Sequence, residues 1–326
     1  MGPANTLRQS ERIDNDDRHN FAAAVVDGLT KARKSLPCRF LYDARGSELF
    51  EEITRLPEYY PTRTEIKILY KQAERMVEAI PTNGVLMEFG SGSSIKTELL
   101  LKHLPQTIAY VPIDVSPSAL TAARQRLTSR FPSLVVCPIV GSFTDPIEVP
   151  ASLAERPRTG FFPGSTIGNF TPGDAVDLMR NFRGILGDGG RLIVGVDLKK
   201  DARQLVLAYN DSAGVTAAFN LNLLVRINRQ LGGTIDVSKF RHEAIYDPRE
   251  GRIEMQLVSL TAQDISVCGR RFHFHKGESI HTENSYKYTV GEFQKLAQAA
   301  SWCPRRLWTD DGEQFSVHEL IACQSP

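Results

Sequence analysis

Residues 85–94, Val-Leu-Met-Glu-Phe-Gly-Ser-Gly-Ser-Ser, and the later run Tyr110-Val111-Pro112-Ile113-Asp114 constrain this chain more than any other stretch. A short apolar strand ends in an acidic residue and breaks into a Gly-x-Gly turn, and a second strand then ends in Asp. This is the order of a doubly wound, Rossmann-like α/β sheet with a nucleoside at its carboxyl edge. Without Cβ atoms, Gly90 and Gly92 let the main chain come close to a ligand. The Asp114 carboxylate can accept two hydrogen bonds from a ribose diol, so Glu88 and Asp114 bracket the expected crevice.

Three ligands compete for this loop, beside the plain reading of a glycine-rich reversal of the chain. A dinucleotide fingerprint, Gly-x-Gly-x-x-Gly, fails at its third position, where Ile95 stands. A phosphate loop of an NTPase has its Lys96-Thr97 pair here, but Ile95 again replaces a required glycine. S-adenosylmethionine carries no phosphate and needs only the glycine turn, a ribose carboxylate and polar groups near its amino acid end. It fits these residues best.

Composition narrows the partners. Lys plus Arg number 39 against 38 Asp plus Glu, a net charge of +1, which offers no broad cationic field to a nucleic acid. No apolar run is long enough to span a bilayer, and residues 1–20 lack the apolar core of a signal peptide, so a cytoplasmic protein without a membrane partner is expected. Cys38, Cys137, Cys268, Cys303 and Cys323 form no Cys-x-x-Cys pair, and reduced, packing thiols are expected for all five. Phe272-His273-Phe274-His275 sets two histidines on one strand face, but no third ligand is near in sequence, so no metal is expected. A monomer is favoured.

Alternating strands and helices then lay out the chain. Strands are read at 85–89, 108–113 and 134–140, with a fourth ending at 161–163 and another at 191–196; helices fall at 95–103, 116–131 and 174–186. Strands this apolar, spaced by helices, imply a parallel sheet covered on both faces. Before them, helices are read at 21–30, 47–56 and 64–79, with 58–61 extended because a residue preceding proline is pushed out of the helical region. After Asp197 the rhythm changes to a helical stretch at 202–230 and antiparallel strands at 253–260, 271–274 and 286–288. A helix at 290–300 and strands at 306–310 and 315–323 close the chain. The expected division is a cofactor domain of residues 63–199 and 289–326, an α+β substrate domain of 20–62 and 200–288, and a disordered 1–19.

Several long strings carry a resemblance. They are Leu41-Tyr42-Asp43, residues 53–65 (Ile-Thr-Arg-Leu-Pro-Glu-Tyr-Tyr-Pro-Thr-Arg-Thr-Glu), residues 164–169 (Gly-Ser-Thr-Ile-Gly-Asn), residues 208–211 and 214–220, Arg252-Ile253-Glu254-Met255 and Thr282-Glu283-Asn284-Ser285. From about Lys34 to near its C-terminus the chain resembles the ergothioneine-pathway L-histidine Nα-methyltransferases, which make hercynine with S-adenosylmethionine. The resemblance implies a methyltransferase domain plus a substrate domain. It places Tyr42, Gly90, Lys96, Asp114 and Phe143 on the cofactor side and Tyr59, Asn169, Tyr209, Met255, Glu283 and Ser285 on the histidine side. Ser142 stands where the family usually has Asp, which weakens the bond to the adenine amino group by removing its charge.

Methyl transfer from a sulfonium is an in-line displacement that calls for positioning and for an unprotonated amine, with Tyr59 or Tyr209 accepting or relaying the proton. Glu283 and Ser285, two residues apart on one strand face, can satisfy the two imidazole nitrogens. Each residue has a plainer role to set against this one: packing for Tyr59 and Met255, a solvated strand face for Glu283, a helix surface for Lys96. A methyltransferase for another amino acid or small amine, and a non-catalytic adenosyl-ligand sensor, are the alternative functions.

Overall fold

The computed structural model describes residues 18–104 and 108–323. The expected disorder of 1–19 falls, for residues 1–17, outside the described residues; 18 and 19 are helical. Helix α1 (18–30) is followed by α2 (Ala44–Ile53), whose first turn is capped by the Asp43 carboxylate accepting from the Gly46 N–H at 2.8 Å. Helix α3 (Tyr60–Met76) starts earlier than the proline rule suggests. Pro61 lies in its first turn, where a missing N–H has no intrahelical partner to lose, so the segment read as extended is helical from Tyr60.

The parallel core then builds as strand–helix units: β1 (Val85–Phe89), α4 (Ile95–Leu101), β2 (Ala109–Asp114) and α5 (Pro117–Arg130). The strand expected at 134–140 is two short pieces, β3 (Val135–Val136) and β4 (Ile139–Val140), interrupted at Pro138, which has no ladder donor. Next come β5 (Arg158–Phe162), α6 (Pro172–Leu186) and β6 (Arg191–Asp197). Helices α7 (Ala202–Ala208) and α8 (Val215–Leu231) lead to β7 (Phe240–Asp247), β8 (Arg252–Ser259), β9 (Gln263–Val267), β10 (Arg270–Phe274) and β11 (Ser279–Tyr286). The strand expected at 286–288 thus ends at Tyr286, and Tyr288 makes only an isolated bridge to Leu198. Helix α9 (Val290–Ala299), opened by a Thr289/Glu292 capping box, and the hairpin β12 (Trp302–Thr309) and β13 (Phe315–Ala322) complete the chain.

Two compact units result. Of the described residues, the first takes those up to Tyr59, Ala202–Pro248 and Ile253–Asn284; the second takes those of Tyr60–Asp201, Arg249–Arg252 and those from Ser285 on. The second unit carries a sheet ordered β12-β13-β6-β5-β1-β2-β3, parallel from β6 to β3, with β13 antiparallel to β6 and β4 beside β2. Strand order reverses at β1 and β5, which puts the binding position of such a sheet at their carboxyl ends. Every residue of β1 is buried. Val85, Met87 and Phe89 pack with Met179, Phe182 and Phe293, and Leu86 packs on the other face with Ile68, Leu69 and Leu100. The first unit contains the ribbon β9-β10 and the sheet β11-β8-β7.

One thiol expectation is corrected. Cys303 and Cys323 are joined in a disulfide, with Cα atoms 5.3 Å apart. The β12–β13 register places Cys303 opposite Ile321, and the Cys323 N–H bonds the Ser301 carbonyl, a proximity no linear spacing displays. Among the described residues no cluster of His, Cys, Asp and Glu could hold a metal, and no helix is long and apolar enough to cross a membrane.

Candidate functional site

In the second unit the turn after β1 is held by β2. The Gly90 and Ser91 N–H groups donate to the Ile113 carbonyl at 2.9 and 3.0 Å. The Asp114 carboxylate accepts from the Gly92 N–H at 2.8 Å through one oxygen and from the Ser116 N–H at 2.9 Å through the other. Each oxygen keeps a second lone pair for an incoming diol. Gly90 has φ +73°, and a Cβ there would lie 3.2 Å from the Phe143 ring, so both conformation and space require glycine. Phe143 is fixed by edge contacts to Phe162 and Phe170 at 5.3 and 6.2 Å. The neighbouring Ser142 hydroxyl lies 2.6 Å from that of Thr144 and accepts from the Thr144 N–H, bracing its own turn.

Glu88 is buried beneath this loop and accepts from the Tyr110 hydroxyl, which also meets Ser94 at 2.8 Å. Burial pushes its carboxyl up to about 7, against the Tyr110 hydrogen bond and the Lys96 charge, which favour the ionised form. Glu88 therefore faces protein groups.

Lys96 is not an isolated surface cation. Its Nζ lies 2.6 Å from Glu65 of α3, a side chain only 1% exposed. The same carboxylate accepts from the Gly164 N–H, 2.9 Å to each oxygen, and so holds the loop after β5. That loop turns through Gly164 and Ser165 at positive φ into a short 3-10 helix, Thr166–Asn169, whose last residue is the predicted Asn169. Gly195 on β6 makes room for Glu65, since a Cβ there would come within 2.1 Å of its Oε1.

A second buried network follows β6. Asp197 accepts from the Tyr60 hydroxyl at 2.8 Å, from Lys200 at 2.6 Å and from Lys287 at 2.7 Å. Burial alone would raise its carboxyl, but Lys287 and Lys200 outweigh that and hold it below the usual carboxylate range. Burial pushes the Lys200 ammonium down to about 8 despite Asp197. Lys287 also donates to the hydroxyl of Ser285 at 2.7 Å.

In the first unit the aromatic residues converge. Tyr59 and Tyr209 stand edge to face at 6.1 Å, Phe50 touches Tyr59 at 6.3 Å and Tyr42 at 5.5 Å, and Tyr42 meets Phe219 at 5.4 Å. Burial raises the Tyr42 phenol well above its ordinary value, and Glu283, Cys38, Tyr59 and Tyr209 add to the shift. Cys38 is pushed up to about 12 by burial and by Glu283. Tyr42, placed on the cofactor side by resemblance, lies in the first unit against Phe50 and Phe219. Met255 is buried on β8, and its carbonyl accepts from the Thr282 hydroxyl at 3.0 Å.

Tyr209 is held from behind. His242 Nε2 lies 2.8 Å from the Tyr209 carbonyl, which can only accept, so Nε2 carries the proton and Nδ1 accepts from the Asn220 amide at 3.0 Å. Burial lowers the His242 pKa and keeps the ring neutral. Asp211 caps α8 by accepting from the Val215 and Thr216 N–H groups at 2.9 and 2.7 Å.

Sequence reasoning missed Glu65, His242, Asp197 and Lys287 as supporting residues. Glu65 closes the 53–65 string, which was the one available signal; the other three gave none.

Comparison with known proteins places the chain. The profile of a family described as "Histidine-specific methyltransferase, SAM-dependent" matches residues 21–322. A histidine N-alpha-methyltransferase of Mycobacterium tuberculosis is 39% identical over 307 residues, covering 90% of this chain and 92% of that protein. One of Mycolicibacterium smegmatis is 38% identical over 302 residues, with the same two coverages. An "Ergothioneine biosynthesis protein 1" of Neurospora crassa is 33% identical over 299 residues, which span 88% of this chain and 33% of that protein.

Proposed function

Because the chain belongs to the S-adenosylmethionine-dependent, histidine-specific methyltransferases, we propose that it transfers three methyl groups to the α-amine of L-histidine, forming hercynine. The observation that carries this reading is the family match over residues 21–322, which takes in both the Gly90/Asp114 turn and the Tyr42, Tyr59, Tyr209 and Glu283 cluster.

S-adenosylmethionine, when bound, supplies an electrophilic methyl on a sulfonium. The residues of the second unit fit it: the bare backbone at Gly90 admits a nucleoside, the second lone pairs of Asp114 take a ribose diol, Phe143 offers an apolar edge and Lys96 a cation for a carboxylate. Ser142, tied to Thr144, is a weak adenine partner, and Glu88 supports the turn.

On the acceptor side the amine must lose its proton before it can attack. A buried aromatic surround disfavours an ammonium, and the Tyr59 or Tyr209 hydroxyl accepts or relays the proton. Tyr42 belongs with them. Asn169 is assigned to the substrate carboxylate, Met255 to the apolar wall, and Glu283 and Ser285 to the imidazole. A histidine-sized apolar side chain would forgo the ring hydrogen bonds to these two groups, a penalty of about 1–3 kcal/mol. As methyls accumulate, tyrosine faces hold the growing fixed cation.

The test is a mass measurement. Purified protein incubated with histidine and S-adenosylmethionine should yield a product heavier by three methyl groups, and a panel of other amino acids and small amines should yield far less. Bound cofactor with no gain in mass for histidine refutes the reading.

A further inference from the structure

We propose that Tyr110 is a positioning residue that locks Ser94 in a left-handed backbone conformation and so sets the Gly90–Gly92 turn relative to Lys96. The inference rests on the cofactor reading made above, in which that turn and Asp114 take the nucleoside and Lys96 the carboxylate. The turn after β1 is left-handed at every second residue, with φ +73° at Gly90, +47° at Gly92 and +53° at Ser94. Glycine adopts this conformation freely, whereas a residue with a Cβ is disfavoured there by about fivefold or more. Ser94 therefore has to be held.

Its hydroxyl supplies the hold. Ser94 stands at the N-cap of α4, yet its side chain caps no helix N–H. It meets the Tyr110 hydroxyl at 2.8 Å instead, and Tyr110 is itself tied to Glu88. Two hydroxyls can each donate or accept, so the contact survives whether Glu88 is ionised or protonated. All three residues are buried, so bulk water does not compete for these groups. The tie matters because Ser94 is a joint. Its N–H donates to the Ser91 carbonyl at 2.8 Å, inside the turn, and its carbonyl accepts the Glu98 N–H at 3.3 Å, inside α4, the helix that carries Lys96.

Burial sets this position apart. Among the described non-glycine residues at positive φ, Asn83, Cys268, Ser301 and Glu313 are exposed, and Ser94 and Ser165 are buried. Ser165 lies in the loop after β5, the neighbour of β1, and its hydroxyl too is engaged, accepting from the Asp197 N–H at 2.9 Å. Both strands at the point where the sheet order reverses thus lead into a left-handed serine whose side chain is tied to an adjacent strand, Tyr110 on β2 or Asp197 on β6.

Ser94→Ala and Ser94→Gly separate this from a merely structural bond, since both remove the hydroxyl and only the first resists the left-handed conformation. In calorimetric titration Ser94→Ala should weaken S-adenosylhomocysteine by about fivefold to tenfold, while Ser94→Gly should stay within about twofold of wild type. Tyr110→Phe should weaken it as Ser94→Ala does, and adding Ser94→Gly to Tyr110→Phe should recover most of the loss. If Tyr110→Phe does not fold, the two Ser94 variants decide alone. Equal affinities in Ser94→Ala and Ser94→Gly, or no recovery in the double variant, overturn the inference while cofactor binding by the wild type stands. A wild-type protein that does not bind S-adenosylhomocysteine overturns it together with the cofactor reading.

Discussion

Replacing Glu65 should loosen the second unit by an amount that can be worked out. The carboxylate is enclosed, accepts the Gly164 N–H at 2.9 Å and meets Lys96 at 2.6 Å. Breaking a buried ion pair by removing one partner takes about 3–5 kcal/mol, and the lower end applies because the Lys96 side chain is 19% exposed and can turn partly to water. The stranded Gly164 amide adds about 1–3 kcal/mol. Glu65→Ala should thus lose about 4 kcal/mol, whereas Glu65→Gln, which keeps volume and an acceptor for Gly164, should lose about half of that. Both tryptophans, Trp302 and Trp308, lie in the second unit, so urea unfolding followed by intrinsic fluorescence reads that unit directly. A reverse perturbation tests the same geometry: Gly195→Ala puts a Cβ 2.1 Å from Glu65 Oε1, so it should be much more damaging in wild type than in Glu65→Ala. An alanine variant within about 0.5 kcal/mol of wild type, or a glutamine variant as damaged as the alanine, refutes the reasoning.

The two ligand halves should respond separately in calorimetric titration. Asp114→Ala is expected to weaken S-adenosylhomocysteine by about tenfold or more and histidine little, and Glu283→Ala the reverse; equal losses for both ligands contradict the division. Stability should also fall in acid through His318, which burial holds down to about 4 from 6.5. Its folded pKa is the lower one, so the unfolded chain binds the extra proton. The contribution present above pH 6.5 is therefore lost as pH falls towards 4, about 3 kcal/mol in all, and His318→Gln should flatten that part of the profile. Finally, reductant or Cys303→Ser should open the Cys303–Cys323 link and lower stability by about 3 kcal/mol, read as a fall in thermal midpoint that reductant no longer changes in the variant.

Much of the parallel sheet and the turn after β1 is legible in the sequence because their signals are local. The Gly90 turn, the β2 tip at Asp114 and the runs of β1, β5 and β6 are each written within a few residues, as chain conformation and side-chain periodicity. Local rules also mislead locally: Pro61 opens a helix that the rule for residues before proline excludes, and Pro138 divides a strand that side-chain periodicity carries across it. Tyr42 stands in a string that marks it as functional, but its company with Phe50 and Phe219 is visible only in the packing.

The sequence by itself determined the α/β class, the Gly90–Asp114 turn and, through its long strings, the family. Tertiary structure alone decided that Lys96 answers Glu65, that Asp197 gathers Lys200 and Lys287, that His242 steadies Tyr209, and that Cys303 meets Cys323. The reason is the range of the forces involved. Backbone preference and amphipathic periodicity act between near neighbours, while a buried charge finds its counter-charge only after strands and helices distant in the chain have packed and excluded the water that would otherwise solvate both.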